Sequence, residues 1–133
     1  MNIVSEDIKD MLVAETALGL VLATNLFLGA EEKTPRNCVT ILDVPGSAPQ
    51  LTFTKGENYH YASIQIRVRN ADYTTGWNLI EEIKTSLHGR AQETWNDTLY
   101  SVIYCSSGPA HLDWDDNGNA RFIININLQR RAV

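Results

Sequence analysis

The 133-residue sequence lacks the features that define several large classes of protein. It has only two cysteines, which are too few for a disulfide framework, and a zinc site would need ligands from elsewhere in the chain. It contains no glycine-rich nucleotide-binding motif and no G-x-S-x-G nucleophile motif. Its net charge is −5, whereas proteins that neutralise nucleic-acid phosphates are usually basic. The sequence therefore indicates no cofactor and no catalytic motif.

Export and membrane insertion are also disfavoured, although residues 11–30 are largely apolar. Positions 6–10 carry three acidic residues and one lysine, whereas a signal peptide needs a basic leader. Glu15 and Asn25 would be costly in a lipid bilayer, and Gly19 divides the apolar stretch. We therefore predict two soluble elements that join near Gly19, in a protein synthesised in the cytoplasm without membrane contact.

What the sequence does contain is the pattern of a single globular domain over its full 133 residues, 44% of them hydrophobic. Helical spacing of apolar residues predicts one helix over residues 6–18, with Ser5 as its N-terminal cap. A second helix is predicted over residues 73–88, capped by Asp72 and stopped by Gly89. The remaining pattern is that of strands.

Alternation of hydrophobic and polar residues predicts a mainly antiparallel sheet. In the clearest strand, four inward positions alternate with four outward ones: Ala62, Ile64, Ile66 and Val68 with Ser63, Gln65, Arg67 and Arg69. Further strands are predicted over residues 20–28, 37–44, 97–105, 112–114 and 121–129, the last two forming a C-terminal β-hairpin around an Asn-Gly turn. This order of elements predicts an α+β fold with both helices packed on one face of the sheet.

One acidic segment could be read as a metal site. Asp113, Asp115 and Asn117-Gly118 match the opening of a calcium-binding loop, but Ile124 stands where that loop requires a glutamate. A β-turn explains the same residues without a metal. We therefore predict a turn and no metal site.

A catalytic group of Cys105, His111 and Asp113 can also be imagined. Cys105 lies in a predicted strand, however, and no loop suited to an oxyanion hole is recognisable. We expect Cys105 and Cys38 to be reduced, buried thiols and the histidines to be surface or edge residues.

Arg67 and Arg69 lie on the predicted solvent side of the clearest strand, as they would in an RNA-binding sheet. Such a sheet also needs aromatic side chains that stack on bases, and here only Ser63 and Gln65 accompany the two arginines. A solvated or intersubunit face is the favoured interpretation.

The C-terminal region combines charges of both signs. Asp115 and Asp116 form an acidic hairpin turn, and Arg130 and Arg131 form a basic tail. These groups could pair head-to-tail between copies of the chain. A solvated terminus is the alternative.

One stretch of the sequence resembles a known family. Residues 63–70, S-I-Q-I-R-V-R-N, run into Ala71-Asp72-Tyr73 and a helix that ends in Leu87-His88-Gly89. This passage resembles the tail terminator and minor capsid proteins of tailed phages of the siphophage type. In that family a hydrophobic-Gln-hydrophobic-Arg-x-Arg strand leads into an Asp-Tyr helix start. The specific part of the resemblance spans residues 59–89, and the order of the flanking elements is similar as well.

The resemblance implies an α+β virion protein that is not an enzyme. Copies in that family form a homo-oligomeric ring, usually of six subunits, on the head-proximal end of the tail tube. The ring stops polymerisation of the tube and offers a joining surface to the head-completion or stopper protein. It would meet DNA only as the genome passes through its lumen, and an acidic ring would let that DNA slide without sticking.

A ring protein needs interfaces rather than a catalytic site. We expect the segments 45–58 and 112–119 to reach neighbouring copies or the tube. The candidate contact residues are Arg67, Arg69, Asp113, Trp114, Asp115, Asp116, Arg130 and Arg131. The closest alternative is another neck component, such as a head-tail connector or stopper subunit. A small hydrolase and an RNA-binding domain are the alternatives from other classes.

Overall fold

A computed structural model describes residues 1–48 and 59–133 of the chain. These residues form two α-helices, one short 3₁₀ helix and a seven-stranded sheet. In chain order the elements are α1 (Val4–Ala14), the 3₁₀ helix (Thr16–Leu18), β1 (Leu26–Leu28), β2 (Cys38–Val44), β3 (His60–Asn70), α2 (Tyr73–Leu87), β4 (Arg90–Trp95), β5 (Thr98–Cys105), β6 (Ala110–Trp114) and β7 (Ala120–Ala132).

The strands lie in the order β1-β2-β3-β7-β5-β4, and every pair except β1–β2 is antiparallel. β3 pairs along one edge of β7. The other edge of β7 is shared, because β6 pairs with residues 120–123 and β5 with residues 126–132. The predicted C-terminal hairpin is therefore confirmed, and it is joined directly to the centre of the sheet.

The hydrophobic core lies between one face of this sheet and the two helices. The inward positions of β3 and β7 are buried as their alternation predicted, and both helices contact these strands or their neighbours. From the helices, the core includes Ile8, Met11 and Leu12 of α1 and Ile80, Ile83 and Leu87 of α2. The structure thus confirms the predicted α+β architecture with both helices on one face.

The first helix differs from its prediction at both ends. Ser5 does not cap it, because its hydroxyl donates to a carboxylate oxygen of Asp43 at 2.7 Å and its backbone N–H donates to the other oxygen at 3.1 Å. The helix begins at Val4, with Ile3 as the N-cap residue, and it ends at Ala14 because Glu15 leaves the helical conformation. The Asp43 carboxylate, which is distant in sequence, thus accepts hydrogen bonds from Ser5 that a local helix cap would otherwise involve.

The predicted strand over residues 20–28 is also shorter than expected and covers only Leu26–Leu28. The Asn25 side chain causes this difference. Its oxygen accepts from the N–H of Val21 at 2.7 Å, and its amide donates to the carbonyl of Gly19 at 3.0 Å. These bonds close a turn where a strand would have needed the same backbone groups.

The second helix follows its prediction closely. The Asp72 carboxylate accepts a hydrogen bond from the N–H of Thr75 at 3.0 Å, which confirms the cap. The helix ends at Leu87, and Gly89 follows with a φ of +90° that a residue with a side chain would rarely adopt. At Gly76 the helix touches the sheet so closely that an added Cβ would lie 2.7 Å from the Phe122 ring.

β4 was not predicted, and it forms the edge of the sheet. It pairs with β5 through a two-residue turn at Asn96-Asp97, where both residues have positive φ. Pairing skips Gln92, whose φ of +54° interrupts the strand. The strand escaped prediction because its short polar sequence carries little hydrophobic alternation.

Two further expectations concern membranes and the long loop. No helix within residues 1–48 and 59–133 is both long and apolar enough to cross a membrane. The segment 45–58, which we expect to reach neighbouring copies or the tube, lies mostly outside the described residues, which resume at Tyr59.

Candidate assembly surfaces

An exposed group of aromatic side chains stands at the base of the C-terminal hairpin. Trp114 of β6 is 56% exposed and Tyr73, the first residue of α2, is 44% exposed. Their rings stack with centroids 5.9 Å apart, and His111 lies within 5.4 Å of both rings. We call Tyr73, His111 and Trp114 the aromatic knob.

The knob is fixed to the core from below. The ring of the buried Phe122 lies 5.0 Å from Tyr73 and 5.5 Å from His111, in edge-to-face geometry. Phe122 is one of the inward residues of β7, so the knob lies on the side of the sheet that carries the helices. Large aromatic side chains that are held rigidly and left exposed are typical of protein–protein contact sites.

The tight turn beside the knob depends on Asp115. Its side chain accepts from the N–H of Asn117 at 2.9 Å and from the N–H of Asn119 at 2.8 Å. Burial acts to raise the pKa of Asp115, but the hydrogen bonds from Asn119 and Asn117 outweigh it and leave that pKa below its ordinary value. Asp115 therefore serves its own turn, and the predicted β-turn is confirmed.

The two neighbouring carboxylates differ in their availability. Asp113 forms an ion pair with Arg121 at 3.2 Å. Asp116 is exposed and has no hydrogen-bond or ion-pair partner within residues 1–48 and 59–133. The rim of the knob therefore has one free carboxylate, Asp116, whereas Asp113 lies with Arg121 on the face of the sheet that is turned away from the helices.

Arg69 corrects one sequence prediction. It was expected on the solvent side of β3, but it is only 7% exposed. Its guanidinium donates to the carbonyls of Pro35 at 2.8 Å and Arg36 at 3.1 Å, and it lies 3.7 Å from the carboxylate of Glu31. Glu31 also pairs with Arg121 at 3.0 Å. Arg69 therefore anchors the segment before β2 across the end of the sheet and does not form an open surface.

Arg67 lies on the sheet face that is turned away from the helices. Along this face, polar side chains of β3 and β7 bind one another: Ser63 donates to Asn127 at 2.6 Å, Gln65 to Asn125 at 3.2 Å and Arg67 to Gln65 at 2.8 Å. We call this face, with its outward residues on β3 and β7, the polar sheet face. No aromatic side chain stands beside Arg67 at the outward positions 63, 65, 123, 125 and 127, whereas Tyr61 of β3 and Tyr104 of β5 line a recess farther along the same face.

The two C-terminal arginines have different environments. Arg130 turns towards α1, where it donates to the carbonyl of Asn2 at 2.8 Å and lies 3.9 Å from the buried carboxylate of Asp7. Arg131 donates only to the carbonyl of Ala132 at 3.3 Å among the described residues. By the alternation of β7, Arg131 belongs to the polar sheet face.

The structure therefore divides the eight predicted contact residues into two groups. Arg69, Asp113, Asp115 and Arg130 are engaged within the chain. The others reach two surfaces, with Trp114 and Asp116 at the knob and Arg67 and Arg131 on the polar sheet face. Sequence reasoning missed Tyr73 and His111 as members of the knob. The sequence feature that could have revealed Tyr73 is the Asp72-Tyr73 start of α2, where a large aromatic residue directly follows the helix cap.

No catalytic centre is assembled by the imagined Cys–His–Asp group. The backbone N–H of Cys105 donates to the ring of His88 at 3.0 Å, and Asp113 is paired with Arg121. Burial raises the pKa of the Cys105 thiol, so its reactive thiolate form is disfavoured at neutral pH. His111 packs in the aromatic knob.

A metal centre is not formed either in the described part of the chain. Within residues 1–48 and 59–133 no three His, Cys, Asp or Glu side chains are grouped so that they could hold an ion. Both cysteines are free thiols; Cys38 is buried as predicted, whereas Cys105 is only partly buried.

Together, these observations describe a small α+β domain with an exposed aromatic group at the base of its C-terminal hairpin. The family model described as bacteriophage tail terminator protein matches residues 6–131. The chain therefore belongs to the bacteriophage tail terminator family, a structural family of the phage virion. The resemblance noted in residues 59–89 extends over nearly the whole chain.

Solved structures agree with this fold. A chain from the virion of a native gene transfer agent particle is similar with a TM-score of 0.66 at 12% identity, over 96% of this chain and 93% of that one. A second solved chain is similar over 94% of this chain and 95% of the other, at 10% identity. Its TM-score of 0.49 is too low to support an argument. No curated protein matches the sequence.

Proposed function

We propose that copies of this chain form a ring on the head-proximal end of the phage tail tube. The ring stops polymerisation of the tube and presents the surface to which the head-completion protein joins. The observation that carries this proposal is the match to the tail terminator family over residues 6–131. The similarity in fold to a chain of a phage-like particle is consistent with it.

The described surfaces suit assembly better than turnover. The thiol of Cys105 has a raised pKa, and its backbone is tied to His88. The exposed aromatic knob, by contrast, offers the kind of side chains that dominate binding energy at protein interfaces. We infer that the protein acts as a building block without catalytic activity or a cofactor.

Ring closure requires heterologous contacts, in which one surface of a subunit meets a different surface of the next. Four of the predicted contact residues are available for such contacts: Arg67, Trp114, Asp116 and Arg131. In a ring of six, the chain's net charge of −5 would be repeated around the lumen, which disfavours adhesion of the passing genome. The tail tube and the head-completion protein would bind the two rims of the ring.

Electron microscopy of tails made with and without this protein tests the proposal. A phage with a nonsense mutation in the gene should produce overlong tubes, and expression of the wild-type protein from a plasmid should restore the normal length. Tubes of normal length that fail to join heads would overturn termination and favour a stopper or connector role. Normal virions from the mutant would overturn both roles.

A further inference from the structure

The aromatic knob and the polar sheet face carry complementary chemistry and cannot meet within one chain. The knob rests on Phe122 and the first turn of α2, so it lies on the helix side of the sheet. The polar sheet face is the reverse side, where Ser63, Gln65 and Arg67 bind residues of β7 or one another. A contact between the two surfaces would therefore join one copy to another.

The charges of the two surfaces are opposite. The knob is bordered by Asp116, which is exposed and has no partner within residues 1–48 and 59–133. On the other side, Asp113 and Glu31 are paired with Arg121 and Arg69 at one end of the polar sheet face. Arg67 and Arg131 of the same face form no ion pair with any described residue. Unpaired charges of opposite sign favour encounter of the two surfaces and fix their register.

The side-chain chemistry is complementary as well. The face of a Trp or Tyr ring attracts a guanidinium group, and Trp114 and Tyr73 are 56% and 44% exposed. The polar sheet face also has a recess of about 140 Å³, lined in part by Ser63, Tyr104 and Asn127. An aromatic side chain entering such a recess would find apolar contact beside amide and hydroxyl partners.

We infer that the aromatic knob of one copy docks on the polar sheet face of the next and that this is the contact between ring subunits. The inference rests on the proposed ring function. It assigns a second copy of this chain as the partner that occupies the polar sheet face. Trp114 supplies the anchor, and Asp116 meets an unpaired arginine of the neighbour. Because the two surfaces differ, the contact repeats from copy to copy and closes into a ring.

A complementation experiment with two full-length variants tests this assignment. In the knob variant, Trp114→Ala and Asp116→Arg remove the anchor and reverse the rim charge. In the face variant, Arg67→Glu and Arg131→Glu reverse the cations of the opposite surface. Each variant keeps one surface intact, so an equimolar mixture has one working contact per pair.

Solution mass measured by analytical ultracentrifugation gives the readout. Wild-type protein should form rings, whereas each variant alone should self-associate about tenfold or more weakly, as expected for loss of an interface anchor. The mixture should form a dimer of one copy of each variant and nothing larger. Leu22→Ala and Glu82→Arg, at exposed sites outside both surfaces, should leave the ring unchanged, and circular dichroism should show that every variant is folded.

The other outcomes separate this inference from the proposed function. Rings of wild-type size formed by either variant would overturn the inferred contact but would leave the proposed ring function standing. If such rings also failed to cap tubes, the knob would face the tube instead of a second copy. A mixture that stays monomeric would likewise overturn the contact. Normal tube length without the protein would overturn the terminator function, whatever the result in solution.

Discussion

Tyr100 of β5 donates its phenolic hydrogen to the Asp7 carboxylate of α1, and both side chains are fully buried. The second carboxylate oxygen of Asp7 accepts from the side-chain amide of Asn96 at 2.7 Å. This contact fastens the first helix to the strand at the far side of the core. A buried carboxylate must keep such donors, because an unpaired one would lose its hydration without replacement.

We predict that Tyr100→Phe destabilises the fold by about 1–3 kcal/mol, because it leaves a buried carboxylate with one donor fewer. Urea unfolding followed by circular dichroism measures the free energy of unfolding. Tyr104→Phe provides the matched control, since Tyr104 is 42% exposed on the same strand. Equal stabilities of the two variants would contradict a role for the Tyr100 hydroxyl.

The same contact predicts a loss of stability in alkali. Burial, and after it the hydrogen bond to Asp7, raises the pKa of Tyr100 above its ordinary value of 10.0. The unfolded chain would release this proton from about pH 10 upwards while the folded chain retains it, so the stabilisation present below pH 10 declines above it. The free energy of unfolding of wild type should therefore fall more steeply than that of Tyr100→Phe between about pH 9 and pH 11. Parallel curves would contradict this.

The buried guanidinium of Arg69 supports a second prediction. Arg69→Leu should cost about 2 kcal/mol, because two backbone carbonyls before β2 lose a charged donor. Arg67→Leu, two residues away on β3, should cost no more than about 0.5 kcal/mol, because Arg67 is half-exposed and binds one side chain. Thermal unfolding of both variants tests this, and hydrogen exchange should become faster across residues 29–37 only in Arg69→Leu. Equal effects of the two substitutions would show that burial of Arg69 is unimportant.

The close approach of α2 to the sheet gives a third prediction. In an open helix position, replacing Gly by Ala would stabilise by about 1 kcal/mol. At Gly76, however, the new Cβ would lie 2.7 Å from the Phe122 ring and 3.0 Å from Cβ of Asn70. We expect Gly76→Ala to destabilise by about 1–3 kcal/mol through this overpacking. Asn78→Ala, on the exposed side of the same helix, should be neutral or slightly stabilising, and a stabilised Gly76→Ala would disprove the close packing.

The cysteines provide a fourth prediction. Burial raises the pKa of both Cys38 and Cys105, so the thiolate fraction of each is small near neutral pH. Alkylation by iodoacetamide at about pH 7.5 should be at least tenfold slower in native protein than in urea-unfolded protein. Cys105→Ala should leave assembly unchanged. Rapid native alkylation of Cys105 would instead support a reactive thiol.

Parts of this fold could be predicted because their determinants are local. The alternation in β3 and β7 fixes which side chains face the core, and the Asp72 cap fixes the start of α2. The predictions were wrong where a residue distant in sequence, or a side chain that competes for backbone hydrogen bonds, determines the local structure. Asp43 takes the hydrogen bonds of Ser5, and the Asn25 side chain replaces a strand with a turn.

The candidate surfaces were only partly predictable for the same reason. Trp114 and Asp116 lie in a turn that the sequence marks clearly. The burial of Arg69 depends on a segment that is 33 residues away in sequence and crosses the end of the sheet. Tyr73 joins the knob only because α2 and β6 meet over Phe122, a tertiary contact that no local pattern encodes.

β4 is an edge strand, and its irregular backbone affects how readily strands of other copies could pair with it. Its left-handed residue at Gln92 breaks the row of unpaired backbone groups that another polypeptide could otherwise extend. Pairing of β4 with a strand of another copy is therefore less favourable than it would be along a regular sheet edge.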